Sequence, residues 1–154
     1  MCIRDSFSYG ELTGRILRVT DFSGRSVTYG YDEYGDLVFA RSPVVTGTSS
    51  GNDFPDGKIT RYRYSSGFDA ASNPALAFAN HNLLEVEDAK GQTYLRNVYE
   101  NDPDSYSFDR IISQQFVNES QVASYDYEPL NPDAEAGANQ IKSCLLYTSD
   151  AADE

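Results

Sequence analysis

One histidine, a pair of alternating glutamates, an acidic cluster and a ladder of tyrosines are the groups in this chain whose types and spacing could do chemistry. His81 is the single histidine. As a general base it would need a nucleophile or water within reach and a partner to orient it. No Gly-x-Ser-x-Gly elbow supplies a serine, and His81 better suits a cap on the loop that enters a strand at Leu83. Glu85 and Glu87 fall on one face of that strand, about 7 Å apart at ~3.4 Å per residue. Paired catalytic carboxylates use such a spacing, but a solvated or cavity-facing strand face is the reading adopted. Asn101, Asp102, Asp104 and Asp109 gather oxygen donors. Calcium loops require donors at fixed offsets and a glycine at the sharp turn, whereas Pro103 stands inside this cluster. Tyr29, Tyr31, Tyr62, Tyr64, Tyr125 and Tyr127 could line a sugar-binding face. The plainer and preferred reading is that they cover a sheet face and pair across strands, at roughly 0.2–1 kcal/mol per pair. With no phosphate loop, Rossmann glycine set or zinc spacing, the expectation is a non-enzyme, with no catalytic, cofactor-binding or metal-ligating residue and no cofactor.

The elements that must hold these residues are strands and tight turns. Leu17 and Val19 alternate with Arg18 and Thr20, and Leu84 and Val86 with Glu85 and Glu87, the period of a half-buried strand. Asp21-x-x-Gly24 and Asp88-x-x-Gly91 follow as turns, in which Asp bonds nearby amides and Gly accepts a positive φ. Val27, Tyr29 and Tyr31 then alternate with Thr28 and Gly30 along a returning strand. A second turn, Tyr31-Asp32-Glu33-Tyr34-Gly35-Asp36, leads into Leu37-Val38-Phe39-Ala40. Between regular stretches, Val44 to Asp56 reads as a long loop. Asn73 and Pro74 read as the N-cap and first position of a helix of at most two turns. Asn101-Asp102-Pro103-Asp104 reads as a turn, and Pro129 to Asn139 as a loop or poorly ordered end.

The pattern repeats. Residues 16–24 and 83–91 match in their apolar positions, Asp and Gly, and Gly57 lies 33 residues after Gly24 and 34 before Gly91. Tyrosines stand at +5 and +7 from Gly24 (Tyr29, Tyr31) and from Gly57 (Tyr62, Tyr64), while Tyr99 stands at +8 from Gly91. A weaker fourth copy puts Ser120 in the Gly place, before Tyr125 and Tyr127. Three to four copies at a period near 33 are a repeat-protein signature. The expected fold is all-β, an antiparallel hairpin meander forming a curved segment of sheet.

Composition narrows the function classes. The 154 residues carry 24 Asp and Glu against 12 Lys and Arg, a net charge of -12. That balance argues against a sequence-independent grip on nucleic acid. No apolar run approaches the ~20 residues of a membrane helix. At 40% hydrophobic, with 12 Tyr and 8 Phe, the chain is too apolar for disorder.

Cys2 and Cys144 would suggest a disulfide joining the ends, but both ends read as translated adapter. Codons for Met1 to Ser6, read on the opposite strand, encode Cys-Leu-Leu-Tyr-Thr, which is Cys144 to Thr148. The DNA resembles a transposase mosaic-end sequencing adapter, with Ser149 to Glu154 as its continuation. Residues 1–6 and 144–154 are therefore expected to be adapter-derived, leaving 7–143 as an internal metagenomic fragment of a longer protein. Without Arg4, Asp5, Asp150, Asp153 and Glu154 the net charge becomes -9, and no cysteine remains.

Gly24 to Leu37 resembles a YD repeat of the RHS (rearrangement hotspot) family, and His81 to Leu84 with Gly91 to Leu95 resembles the same family's repeat region. The likeness covers most of 9–128. It departs where Ser65, Glu100 and Glu128 replace the Asp after Tyr64, Tyr99 and Tyr127, and where 65–82 reads as an insertion. The resemblance implies a β-sheet that spirals into a hollow shell, which in bacteria commonly encloses a C-terminal toxin or other cargo and in animals occurs in teneurin adhesion proteins. The implied function is a structural wall of a secreted or cell-surface bacterial polymorphic-toxin shell. Its partners would be the rest of its own chain and the enclosed cargo, with no nucleic acid and no membrane span in this fragment. The alternative is a surface adhesin or carbohydrate-binding repeat.

Overall fold

A computed structural model describes residues 5–116, 121–131 and 141–150. The chain is almost entirely β. Its strands are β1 (Ser6–Tyr9), β2 (Ile16–Thr20), β3 (Ser26–Tyr31), β4 (Leu37–Arg41), β5 (Ile59–Tyr64), β6 (Leu83–Glu87), β7 (Thr93–Tyr99), β8 (Ile111–Phe116), β9 (Gln121–Pro129) and β10 (Ile141–Asp150). They follow one another in a sheet whose order is the chain order, the expected antiparallel meander. Two compact units divide the chain: one holds the residues up to Tyr62 together with Glu87–Gln92, the other holds Arg63–Val86 and the residues from Thr93 onward.

In the first unit β2 to β5 run as hairpins, with Arg18 opposite Thr28, Thr28 opposite Arg41, and Val19 opposite Val27. The Asp21-x-x-Gly24 turn forms as its residues predict. Gly24 takes φ 84° and its amide bonds the Asp21 carbonyl at 3.0 Å, while Asp21 Oδ1 accepts from the amides of Ser23 and Arg25 at 2.9 and 3.0 Å. Asp88-x-x-Gly91 repeats this, its Oδ1 accepting from Lys90 and Gln92 at 2.8 and 2.9 Å. Gly30 lies within β3 directly opposite Phe39. The Phe39 ring occupies the space a Cβ on Gly30 would need, so the ring shields a backbone that the missing side chain leaves bare. The 44–56 stretch is a loop, pinched by a bridge between Val45 and Phe54 and tied by Asp53 to the amides of Gly47 and Thr48, both at 2.8 Å.

The second unit pairs β7 with β8 and β8 with β9. The expected short helix is a 3₁₀ helix, Pro74–Ala79, with Asn73 as N-cap accepting from the Ala75 amide and Pro74 in its first turn. Of the 129–139 segment, Pro129 ends β9 and residues 132–139 lie outside the described residues, as do Cys2 and Ser120. Residues 144–150, part of the adapter-like end, belong to β10, which pairs with β9. Leu145, Leu146 and Tyr147 remain 45%, 59% and 53% exposed there. The pairing therefore rests on main-chain hydrogen bonds offered by an available strand edge, with little apolar burial.

A common closure recurs along one set of turns. At each, the amide of the residue after a strand-ending tyrosine bonds a carbonyl across the turn, and a residue with positive φ precedes that carbonyl. Gly10 bonds Arg15, Asp32 bonds Asp36, Ser65 bonds Asn82 and Glu100 bonds Arg110, at 2.9 to 3.0 Å. The residues with positive φ are Gly14 (65°), Gly35 (94°), His81 (70°) and Asp109 (60°). Each is followed by one polar residue and then Ile or Leu: Ile16, Leu37, Leu83, Ile111. Just beyond, the register slips by one residue at Leu17, Val38 and Ile112, the mark of a β-bulge. Of the strands that enter these closures, β3, β5 and β7 begin 33 and 34 residues apart, whereas β1 begins only 20 residues before β3. β7 has seven residues where β3 and β5 have six, which is why Tyr99 falls one place late.

The interior is thin. Among the described residues Ala79 and Val86 are the buried hydrophobics, and no large side chain is fully buried, while Phe7, Tyr9, Phe22 and Phe78 stand more than half exposed. Such a sheet gains little from apolar burial. The 154-residue chain is expected to melt broadly, with weak cooperativity or aggregation; a sharp, two-state monomeric transition at high temperature by circular dichroism would overturn this. Gly30→Ala is expected to drive the Phe39 ring from its seat and cost about 1–3 kcal/mol, read as faster amide exchange at Phe39 and Arg61.

Candidate functional site

The insertion between β5 and β6 forms one side of a concavity in the second unit. Its ends are drawn together by the closure at Ser65, whose hydroxyl also donates to the Ala79 carbonyl and accepts from the Asn82 amide. Asn80 then works as a surrogate strand. Its Oδ1 accepts from the Phe68 amide and its Nδ2 donates to the Phe68 carbonyl, both at 3.1 Å. Asn82 Nδ2 donates to Asp109 Oδ1 at 2.7 Å, tying this loop to the next turn. The cavity of about 550 Å³ beside it is lined by Tyr64, Ser65, Phe68, Asn97, Tyr99 and Asn101, with Arg63, Glu85 and Arg96 also at its wall.

Asn97, only 6% exposed, fixes that wall. It donates to the Leu83 carbonyl at 2.9 Å and accepts from Gln114 Nε2 at 2.9 Å, so its buried amide is satisfied on both ends. Tyr125 adds its hydroxyl to Gln114 Oε1 at 3.4 Å. Burial, reinforced by the nearby Asp109 charge and opposed by a hydrogen bond with Asn97, pushes the Tyr99 phenol above its ordinary range. The cavity therefore offers aromatic faces, amides and hydroxyls, with the paired charges of Arg63, Glu85 and Arg96 at one wall.

Glu85 and Glu87 stand on a solvated strand face, as expected. Glu85 is gripped by Arg63 through both carboxylate oxygens, at 3.0 and 3.1 Å, and by Arg96 at 3.0 Å. Arg63 foremost, with Arg96 adding to it, holds its carboxyl below the usual range against the opposing effect of burial. Glu87 pairs with Arg61 at 2.9 Å. These cross-strand rungs are each worth about 0.2–1 kcal/mol at such exposure. Three of the four lone-pair positions of Glu85 are thus taken by two guanidinia.

His81 closes the turn into β6, its amide donating to the Ser65 carbonyl at 2.9 Å. The 101–104 turn closes through Asp102, whose carbonyl accepts from the Ser105 amide and whose Oδ1 accepts from Asp104, both at 3.0 Å. Asp109 faces Asn82 instead, so the acidic cluster is not convergent. Among the described residues no group of three His, Cys, Asp or Glu side chains could hold a metal. Two tyrosines of the ladder have a role that alternation alone did not reveal. Tyr31 donates to the Ile16 carbonyl at 3.1 Å, and Tyr127 donates to the Ile111 carbonyl at 2.6 Å. Each bonded carbonyl precedes a bulge, and a guanidinium, Arg15 or Arg110, lies over each ring at 5.7 Å. Cys144 is exposed in β10 opposite Tyr127.

Compared with protein-family models and with curated proteins, the chain matches none. Among the described residues no helix is long and apolar enough to cross a membrane.

Asp21 supplies a pH test of the turns. The Ser23 hydroxyl, followed by Arg25, holds its carboxyl below the ordinary 3.8, at about 2. Because the folded value is depressed, the turn's contribution is complete above pH 3.8 and fades as pH falls toward about 2. Carboxyl-detected NMR titration is expected to place the Asp21 midpoint near 2 and to show the Ser23 and Arg25 amides losing protection in step; a midpoint at 3.8 or above would refute it.

Proposed function

We propose that the chain is a wall segment of an RHS-type shell that encloses a C-terminal toxin or other cargo of its own longer chain, for secretion or surface delivery by a bacterium. The observation that carries this reading is the recurring closure at Gly14, Gly35, His81 and Asp109. One two-strand unit is used again and again, with its length differences falling mainly in the connections, both at the closures and in the 44–56 loop between β4 and β5. That is how a repeat array extends a surface without altering its frame. The thin interior fits the same reading, since a repeat buries its apolar strip against neighbouring repeats.

Recovery of the flanking gene tests it. Expected is a long run of further repeats followed by a small C-terminal domain that resists protease until the shell is opened. A gene that instead ends in an anchor, without any enclosed domain, would sink the proposal.

The 550 Å³ cavity favours a second reading, a carbohydrate-binding surface repeat. On that reading, a glycan array probed with the 154-residue chain gives selective binding to neutral oligosaccharides. Tyr99→Ala lowers that affinity about tenfold, the loss of one stacking or hydrogen-bonded contact of about 1.4 kcal/mol. An array without selective binding would remove this reading.

A further inference from the structure

The first unit carries a cationic groove that the wall role does not use. Arg18 on β2, Thr28 on β3 and Arg41 on β4 are direct cross-strand neighbours, so the three side chains leave one face of the sheet in a single row. The row opens into a cavity of about 400 Å³, completed by Ser23, Gly24 and Arg25 of the first turn and by Ser42 and Pro43 after β4.

The partners of these groups decide what the groove can hold. Arg25 is committed to Asp21 at 2.7 Å. The Ser23 hydroxyl donates to Asp21, the Ser26 hydroxyl is bonded to Thr20, and the Ser42 hydroxyl donates to the Pro43 carbonyl. Thr28 is the lining hydroxyl with no intramolecular partner among the described residues. Likewise neither Arg18 nor Arg41 has a carboxylate within ion-pair distance among them. Arg41 stands 5.9 Å from the centre of the Phe39 ring, a contact that leaves its N–H donors unused. This contrasts with Arg61, Arg63 and Arg96, each of which is paired with a glutamate. In a chain of net charge -12, Arg18 and Arg41 flank Thr28 as cross-strand neighbours with no counterion among the described residues.

We propose that this groove binds a tetrahedral oxyanion, a phosphoryl or sulfuryl group, held between the Arg18 and Arg41 forks with the Thr28 hydroxyl beneath it. Adjacent strands lie ~4.8 Å apart, so the two arginines start roughly 10 Å from each other, a span that two extended side chains can close over the intervening strand. Planar guanidinium forks give paired charge-assisted hydrogen bonds to such oxyanions, and a hydroxyl between them donates the third. The volume exceeds that of a bare ion, so the anion has room for one small organic group attached to it.

Titration of the 154-residue chain with inorganic phosphate, inorganic sulfate, glucose 6-phosphate and glucose, followed by amide NMR shifts, tests the assignment. Expected is saturable binding of at least one of the three anions, with the largest shifts at Thr28, Arg18 and Arg41, and none with glucose. The paired variant Arg18→Gln/Arg41→Gln is expected to weaken it about tenfold or more, and Thr28→Val a few-fold. Arg61→Gln/Arg63→Gln, which removes the same charge from glutamate-paired positions, leaves it unchanged. Tighter binding of the sugar phosphate than of phosphate supports the esterified ligand, and equal binding supports an oxyanion read alone. Equal weakening in both paired variants, shifts centred away from the row, or no saturable binding of any of the three anions overturns the proposal. The wild-type shift map stands even if a variant loses its sheet signal by circular dichroism.

Discussion

The reversal of the chain after each tyrosine-ended strand is the constraint on which the rest of this sheet depends. A meander pairs each strand only with its neighbours in the chain, so every turn must set its register locally. The chain does this with a left-handed residue, followed by a polar residue and an aliphatic one, and it does so at Gly14, Gly35, His81 and Asp109. The left-handed residue lets the carbonyl after it meet the amide behind the tyrosine. A bulge then absorbs one residue at Leu17, Val38 and Ile112. A bulge disturbs the ladder beside it, and at Ile16 and Ile111 the carbonyl just before it is taken up by the hydroxyl of Tyr31 or Tyr127. The tyrosines are thus part of the closure, with their rings supplying sheet cover at the same time.

With so little apolar burial, side-chain pairing carries much of the specification. In the first unit Arg61 and Glu87 form one rung; in the second, Arg63, Glu85 and Arg96 form another. On the buried side of the second unit an amide chain runs from the Leu83 carbonyl through Asn97 and Gln114 to Tyr125. Each exposed ion pair contributes little free energy. A buried amide with both ends satisfied, however, penalises any shifted register, because a slip would strand its donors and acceptors.

Much of the fold was legible in the residues. The alternation at Leu84 and Val86, the two Asp-x-x-Gly turns, the long loop at 44–56 and the Asn73–Pro74 helix start all rest on local chemistry, and local chemistry is what a sequence displays. The closures at His81 and Asp109 were harder to see. Their Gly place is filled by residues that tolerate positive φ less freely, and insertions separate them from Tyr64 and Tyr99. The signal was present in the short pattern Gly14-Arg15-Ile16, Gly35-Asp36-Leu37, His81-Asn82-Leu83 and Asp109-Arg110-Ile111. It is hidden when copies are aligned on Gly24, Gly57 and Gly91, because those glycines serve the opposite set of turns. Neither cavity could be read from spacing. The wall of the larger one combines residues from β5, its insertion, β6 and β7, and the cationic row becomes visible only when register places Arg18 and Arg41 on either side of Thr28.

Insertions at such closures explain how a repeat frame can acquire recognition without losing order. The closure needs only its amide, its carbonyl and a left-handed residue, so the chain between them can lengthen from the four-residue reach of Gly10 to Gly14 to the sixteen of Ser65 to His81. Added length costs little closure entropy per residue, and the new loop is paid for locally by its own bonds, Asn73 to Ala75 and Asn80 to Phe68. The loop then lies against side chains whose positions the sheet has already set, such as Asn97 and Tyr99. Length is added in the loop while geometry stays with the strands, so the same frame carries a bare turn at Asp32–Gly35 and a loop that walls a cavity at Ser65–His81.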